Sequence, residues 1–133
     1  MKIENIKFKA KELGTGKWKV GFLQRDMDYN LCILIANKED HSWYWTQIDP
    51  STVCMFTGLK DCVGNEIWEG NILSNVTNDS PDGIVVFKYG AFCLLAKNGR
   101  DFCVALTYLL SEKDSLNRFK VVGNKFDRKE GEK

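Results

Sequence analysis

Asp61, Cys62, Glu66 and Glu69 lie within nine residues of one another, and Asp79 and Asp82 follow, so this stretch holds the side chains best suited to acid, base or nucleophilic chemistry. Paired carboxylates catalyse when a defined separation and unequal surroundings push their pKa values apart. A cysteine nucleophile needs a neighbouring base. His41 is the only histidine, and its neighbours Asp40 and Ser42 mark it as a turn residue. No glycine run follows a phosphate-loop or dinucleotide pattern, and no nucleophile elbow is present. Every candidate role lacks its partner. The expectation is a protein that is not an enzyme, with no catalytic residue and no cofactor.

Cys32, Cys54, Cys62, Cys93 and Cys103 are odd in number and form no Cys-x-x-Cys pair. Three of them, Cys32, Cys93 and Cys103, sit inside apolar runs. They read as reduced thiols used as small hydrophobes, and without closely spaced Cys and His ligands no metal site is expected.

The second kind of chemistry is recognition. In a strand, Trp43 and Trp45 of the Trp43-Tyr44-Trp45 run share a face and Tyr44 takes the other. Such a cluster can stack bases or a ligand ring. Its commoner use is as large core contacts, which a small β domain needs, and that is the expectation here. Ser74 to Gly83 is the longest polar stretch; it is either a functional loop or an unused insertion. The candidate partner-binding residues are therefore Trp43, Trp45, Asn78, Asp79 and Asp82, a set that requires two segments distant in sequence to meet.

The elements that must position these residues read as strands. Ile6, Phe8 and Ala10 alternate with Lys7, Lys9 and Lys11, which predicts a half-buried strand over Ile3 to Ala10 with a lysine outer face. After Gly14-Thr15-Gly16 a second strand sets Trp18, Val20 and Phe22 against Lys17, Lys19 and Gly21, so a hairpin is predicted. Leu31 to Ala36 is apolar throughout and fits a strand buried on both faces. Ile84 to Phe87 opens the strongest β region. Asn98-Gly99 between Leu94-Leu95-Ala96 and Phe102-Cys103-Val104 predicts an antiparallel hairpin with a type I′ turn. Thr107 to Asp114 tolerates one short helix, and Phe119 to Val122 reads as a last strand. No internal repeat is evident.

The blocks Asp49-Pro50-Ser51-Thr52-Val53, Phe56-Thr57-Gly58-Leu59-Lys60-Asp61 and Gly64-Asn65-Glu66-Ile67-Trp68-Glu69-Gly70-Asn71-Ile72 resemble the central signature of YopX-type phage and prophage proteins. Ile6 to Ala10, Lys17 to Gly21, Gly83 to Phe87 and Val121 to Asn124 extend the likeness in order over most of the chain. The family usually has Glu-Gly-Asp where this chain has Glu69-Gly70-Asn71. The resemblance implies a mostly β protein with an SH3-like barrel, a phage or prophage origin, and no established activity.

With 133 residues, 44% of them hydrophobic, the chain can bury a core. No apolar run is long enough to span a membrane, and the Lys-rich start lacks the apolar segment of a signal peptide. The cytoplasm of the bacterial host is the expected location. The net charge of +1 conceals blocks of +5 over 1–25, −8 over 26–87 and +4 over 88–133. Such blocks either neutralise one another or favour head-to-tail self-association. The fold class expected is mainly β: an N-terminal β portion over 1–54 packed on an SH3-like barrel over 55–126, with a disordered charged tail at 127–133. The expected function is non-catalytic binding of a host or phage component, whether protein, nucleic acid or small ligand, including interference with host defence. The alternative is an assembly protein that pairs with itself through its segregated charge. No membrane partner is expected.

Overall fold

A computed structural model describes residues 2–75, 81–96, 103–106 and 119–127. Their elements are strands in two antiparallel sheets, with two short 3₁₀ turns, Ile3–Asn5 and Pro50–Thr52. The chain divides into two compact units, Met1–Phe56 and Thr57–Lys133.

The first unit is built from β1 (Phe8–Lys11), β2 (Trp18–Arg25), β3 (Leu31–Ala36) and β4 (Trp43–Gln47), joined in the order β4-β3-β2-β1, with the first residues of β5 (Cys54–Lys60) on the far edge of β1. Beyond the β1–β5 pairing, Leu13 N–H donates to the Gln47 carbonyl at 3.0 Å and Asp49 N–H to the Lys11 carbonyl at 2.8 Å, around an isolated Glu12–Ile48 bridge. The sheet therefore curls until the end of β4 reaches the end of β1. Inside the curl Ala10, Ile33 and Ile48 are fully buried, with Phe8, Leu23, Leu31, Ile35 and Val53 packed against them.

Three sequence expectations change here. The first strand begins only at Phe8: Ile3–Asn5 is a 3₁₀ turn, closed by the Asn5 and Ile6 N–H groups donating to the Lys2 and Ile3 carbonyls, and Ile6 is exposed. The span of β3 is as expected, but one face alone meets the core. On the other face Cys32 is covered by its own neighbours, while Leu34 is half-buried and Ala36 exposed. Trp43, Tyr44 and Trp45 are not core residues, being 57%, 46% and 54% exposed.

In the second unit the latter part of β5 is followed by β6 (Glu66–Trp68), and β7 (Asn71–Asn75), β8 (Pro81–Lys88), β9 (Ala91–Ala96), β10 (Cys103–Ala105) and β11 (Phe119–Asn124) form a sheet in the order β10-β9-β8-β7-β11. Its core is Ile67, Leu73, Val85, Leu94 and Leu106. Among the described residues the edges β10 and β11 are not joined, so the sheet is open where a closed SH3-like barrel was expected. β9 and β10 are antiparallel as the sequence predicts. Their register sets Cys103 opposite Leu95, whereas a two-residue Asn98-Gly99 turn would set residue 102 there. The tight turn lies one hairpin earlier. Lys88 pairs with Ala91, and Tyr89 and Gly90 both take positive φ, the requirement of a type I′ turn. The proposed helix over 107–114 and most of the tail over 127–133 lie outside the described residues.

Candidate functional site

Cross-strand partners share a face of a sheet, so the register shows which side chains stand together. In the β1–β2 hairpin Ala10 is opposite Lys19, and Lys11 is opposite Trp18. The apolar side of β1 thus faces the core while the apolar side of β2 faces away from it. The four-residue connection fixes this offset. Glu12 N–H donates to the Lys17 carbonyl, and the Glu12 carboxylate accepts the Thr15 and Thr46 hydroxyls, Thr46 first among the causes that hold its pKa below the ordinary value.

On the outward face Phe22 stands opposite Leu34 and Leu34 opposite Trp45, with Trp43 one step along. The Phe22 and Trp43 rings lie 6.3 Å apart and tilted by 34°. Val20 is exposed beside them. Lys9 and Lys11 belong to the same face, their ammonium groups 4.7 and 5.4 Å from the centroid of the half-buried Trp18 ring, within cation–π range. The arrangement is an aromatic and aliphatic surface on the outer side of the curled sheet, bordered along β1 by lysines.

A cleft of about 550 Å³ adjoins it, lined by Gln24, Arg25, Asp26, Met27, Asp28 and Trp45. Its floor is a turn in which the Asp26 carboxylate accepts the N–H groups of Asp28 and Asn30 and the Gln47 amide. Asn30 N–H is the largest of the influences that pull Asp26 below its usual pKa. The carboxylate also contributes, after burial, to holding the Cys32 thiol above its usual value.

The same turn recurs at Asp61–Asn65. Asp61 accepts Val63 N–H at 3.0 Å and Asn65 N–H at 2.7 Å, as Asp26 accepts Asp28 and Asn30 N–H at 2.9 Å each, and the residue before the asparagine has positive φ in both, Tyr29 at 64° and Gly64 at 90°. Asp61 takes one further bond, from Val121 N–H at 2.9 Å. Burial pushes Asp61 up, but the N–H groups of Val121, Asn65 and Val63 outweigh it and leave the carboxyl below its ordinary pKa. Asp61 is thus a fixed anion that ties a loop to β11.

Cys62 is a half-buried free thiol whose backbone N–H bonds the Phe119 carbonyl. Glu66 opens β6, Glu69 stands at the turn before β7, and exposed His41 has φ 59° in the β3–β4 turn. Cys32, Cys54 and Cys93 are free thiols as well. No group of three or more His, Cys, Asp or Glu is placed to hold a metal among the described residues.

Of the residues picked from sequence, Trp43 and Trp45 share the outward face. Asn78 and Asp79 lie outside the described residues, as does the Asp82 side chain. Sequence reasoning missed Phe22, Trp18, Lys9 and Lys11 as companions of the tryptophans. The signal was present in the loop length: four residues, Leu13 to Gly16, between Glu12 and Lys17 bring the lysines of β1 beside the apolar residues of β2.

A family model described as YopX protein matches residues 8–130. The chain belongs to the YopX family. No curated protein matches it. The YopX-family signature proves architectural. Asp49 caps Pro50–Thr52 by accepting Ser51 N–H, Thr52 Oγ1 accepts Lys11 N–H at 2.8 Å, and Thr57 Oγ1 donates to the Ile67 carbonyl. Buried Asn71 accepts Trp68 N–H at 2.6 Å and donates through Nδ2 to the Gly123 carbonyl at 3.4 Å. The aspartate usual in the YopX family could make the first of these bonds but, ionised, could not donate the second.

Proposed function

We propose that this YopX-family protein is a non-catalytic binding module whose binding surface is the outward face of the first unit's sheet. The observation that carries the reading is the pair Trp43 and Trp45, each more than half exposed and grouped with Phe22 and Val20 on a face opposite a complete core. Scattered exposed apolar residues are ordinary, whereas a contiguous aromatic group on one face is a usual mark of a docking site. A local rule broken in β2, with its apolar side turned to water, is the kind of departure that function sustains. Asp26 and Asp61 are committed to holding turns together, which favours binding over catalysis. In the second unit, the order β10-β9-β8-β7-β11, with the last strand returning beside the first of the meander, is compatible with the SH3-like frame that the family resemblance implies. The phage or prophage resemblance sets the expected setting, a bacterial host cytoplasm, with host-directed binding as the role.

The test is a panel of fluorescently labelled short oligonucleotides, peptides and aromatic small ligands, read by anisotropy with wild type and the Trp43→Ala/Trp45→Ala double variant. At least one class should bind wild type and lose affinity in the double variant, with the melting temperature nearly unchanged. If no class binds, or both proteins bind alike, the surface is wrong.

A further inference from the structure

We infer that the open edge of β4 takes an extended peptide of a partner protein, added antiparallel as a further strand, with its apolar side chains laid against Trp45 and Trp43. This rests on the reading of the outward face as the binding surface and adds the class of partner and the way it is held.

The backbone carries the inference. Asn37 N–H donates to the Ser42 carbonyl at 2.7 Å and Ile48 N–H to the Leu31 carbonyl at 3.2 Å, at the two ends of the register that sets Ile35 opposite Tyr44 and Ile33 opposite Thr46. Bonded and unbonded pairs alternate in an antiparallel ladder. Tyr44 and Thr46 are therefore the residues bonded to β3, and the N–H and C=O groups of Trp43 and Trp45 point off the edge. Among the described residues no strand lies beyond β4, and none bonds those groups. Both tryptophans are exposed.

The same edge already accepts an extended backbone at its far end. Gln47, next in the outward-pointing series, receives Leu13 N–H on its carbonyl at 3.0 Å, beside the antiparallel Glu12–Ile48 bridge. The chain then turns away at Gly14, whose φ is 89°. A peptide running in the direction of β1 would take up the line that Leu13 leaves and pass Trp45 before Trp43. Its residues opposite the two tryptophans would face the same side as the rings.

Edge strands are commonly guarded by a lysine, a proline or a bulge. The sequence of β4, Trp-Tyr-Trp-Thr-Gln, has no charge and no proline, and its pairing with β3 has no shift of register. In strand addition the backbone bonds supply affinity, and alternate side chains supply the choice of partner. Here the alternate side chains meet indole rings, which calls for apolar residues. The Asp26 carboxylate stands on the same flank, bonded to the Gln47 amide at 3.2 Å, which disfavours an acidic segment. A second copy of the chain is a poor occupant: the open edge is shorter than the five residues of β4, whereas a stable dimer takes roughly 20–30 residues a side. A peptide held by a few backbone bonds and two rings makes a weak, transient complex instead.

The probe is the labelled peptide Thr-Val-Thr-Val-Thr-Val-Thr, read by fluorescence anisotropy. Wild type should bind it, and Trp43→Ala/Trp45→Ala should weaken binding at least roughly tenfold at a nearly unchanged melting temperature. Two N-methylated forms separate strand pairing from simple docking, because an extended peptide carries the valine N–H groups along one edge and the threonine N–H groups along the other. Methylating one set should weaken binding roughly tenfold or more, as the bonds to β4 are lost, and methylating the other should leave it within about twofold. Amide exchange followed by NMR should be fast at Trp43 and Trp45 and slow at Tyr44 and Thr46 in the free protein, and the peptide should slow the first pair.

The inference is overturned if the peptide does not bind, if the two methylated forms bind alike, or if Trp43 and Trp45 amides of the free protein exchange as slowly as those of Tyr44 and Thr46. It is also overturned if the protein alone is a dimer in which the Trp43 and Trp45 amides are protected, since the occupant is then a second copy. Should the methylated forms bind alike while the tryptophan double variant loses the peptide, strand addition falls and the binding face stands. The same holds if an oligonucleotide or an aromatic small ligand binds in place of the peptide and fails with the double variant. If nothing binds, both fall.

Discussion

Asp61 shows how a residue with the right chemistry can be spent on structure. Four donors converge on its carboxylate: the N–H groups of Val63, Asn65 and Val121 and the Asn65 amide. Asp61→Asn would turn an amide toward at least one of these donors, and the expected loss is about 2 kcal/mol or more in chemical denaturation, because a buried donor goes unpaired. Because the folded carboxyl is depressed below its ordinary 3.8, its contribution is present above that pH and is lost as pH falls through the lower folded value. Wild type should therefore lose stability more steeply below pH 3.8 than Asp61→Asn does. The paired turns allow an opposite-sign test. Gly64→Ala should cost about 1 kcal/mol, since a Cβ is unwelcome at positive φ, and Tyr29→Gly should gain up to about as much, its ring being mostly exposed. Equal signs for the two would show that the turns are not equivalent. Gly21 is constrained differently: a Cβ there would overlap the Leu34 carbonyl oxygen, so Gly21→Ala should be strongly destabilising, by about 2 kcal/mol or more. The recurrence of this turn was hidden in the sequence because Asp26-Met27-Asp28-Tyr29-Asn30 and Asp61-Cys62-Val63-Gly64-Asn65 share only their ends. Tyrosine does not announce a left-handed residue.

At the scale of elements, alternation of side chains located most strands and gave the limits of β3. It did not say which face of each strand is inside. Period 2 fixes two faces without naming them, and the choice depends on how many residues the neighbouring turn contains. That is why Trp43 and Trp45 were expected in the core and are found outside it. The correction has an energetic signature. Ile33→Ala should cost about 2–5 kcal/mol as a large-to-small change in a filled core, while Trp43→Ala should stay within about 0.5 kcal/mol despite removing far more surface. Urea denaturation of the two variants separates the cases. A large loss for Trp43→Ala would return the aromatics to the core. The Asn98-Gly99 signal was right about the pairing of β9 and β10 and wrong about its register, and Tyr89-Gly90, lacking the asparagine, was overlooked as the type I′ turn.

For the molecule as a whole, the charge blocks along the chain do not add up to a large net charge on either unit. Met1–Phe56 holds eight Lys and Arg against seven Asp and Glu, and Thr57–Lys133 holds eleven of each. Assembly driven by opposite ends then loses its electrostatic basis, and the mass in solution should be the same at low and high salt. What remains of the segregation is local, in the lysine-bordered aromatic face, and the account depends on that face being open to solvent. Acrylamide quenching of tryptophan emission tests this most directly, because Trp43 and Trp45 are 57% and 54% exposed whereas Trp68 is 5% exposed. Wild type should show a strongly quenched, red-shifted component that disappears in Trp43→Phe/Trp45→Phe, leaving the protected emission of Trp68 and the half-buried Trp18. If the double variant keeps the accessible component, or wild-type emission is uniformly blue and protected, the aromatic face is covered and the account is contradicted.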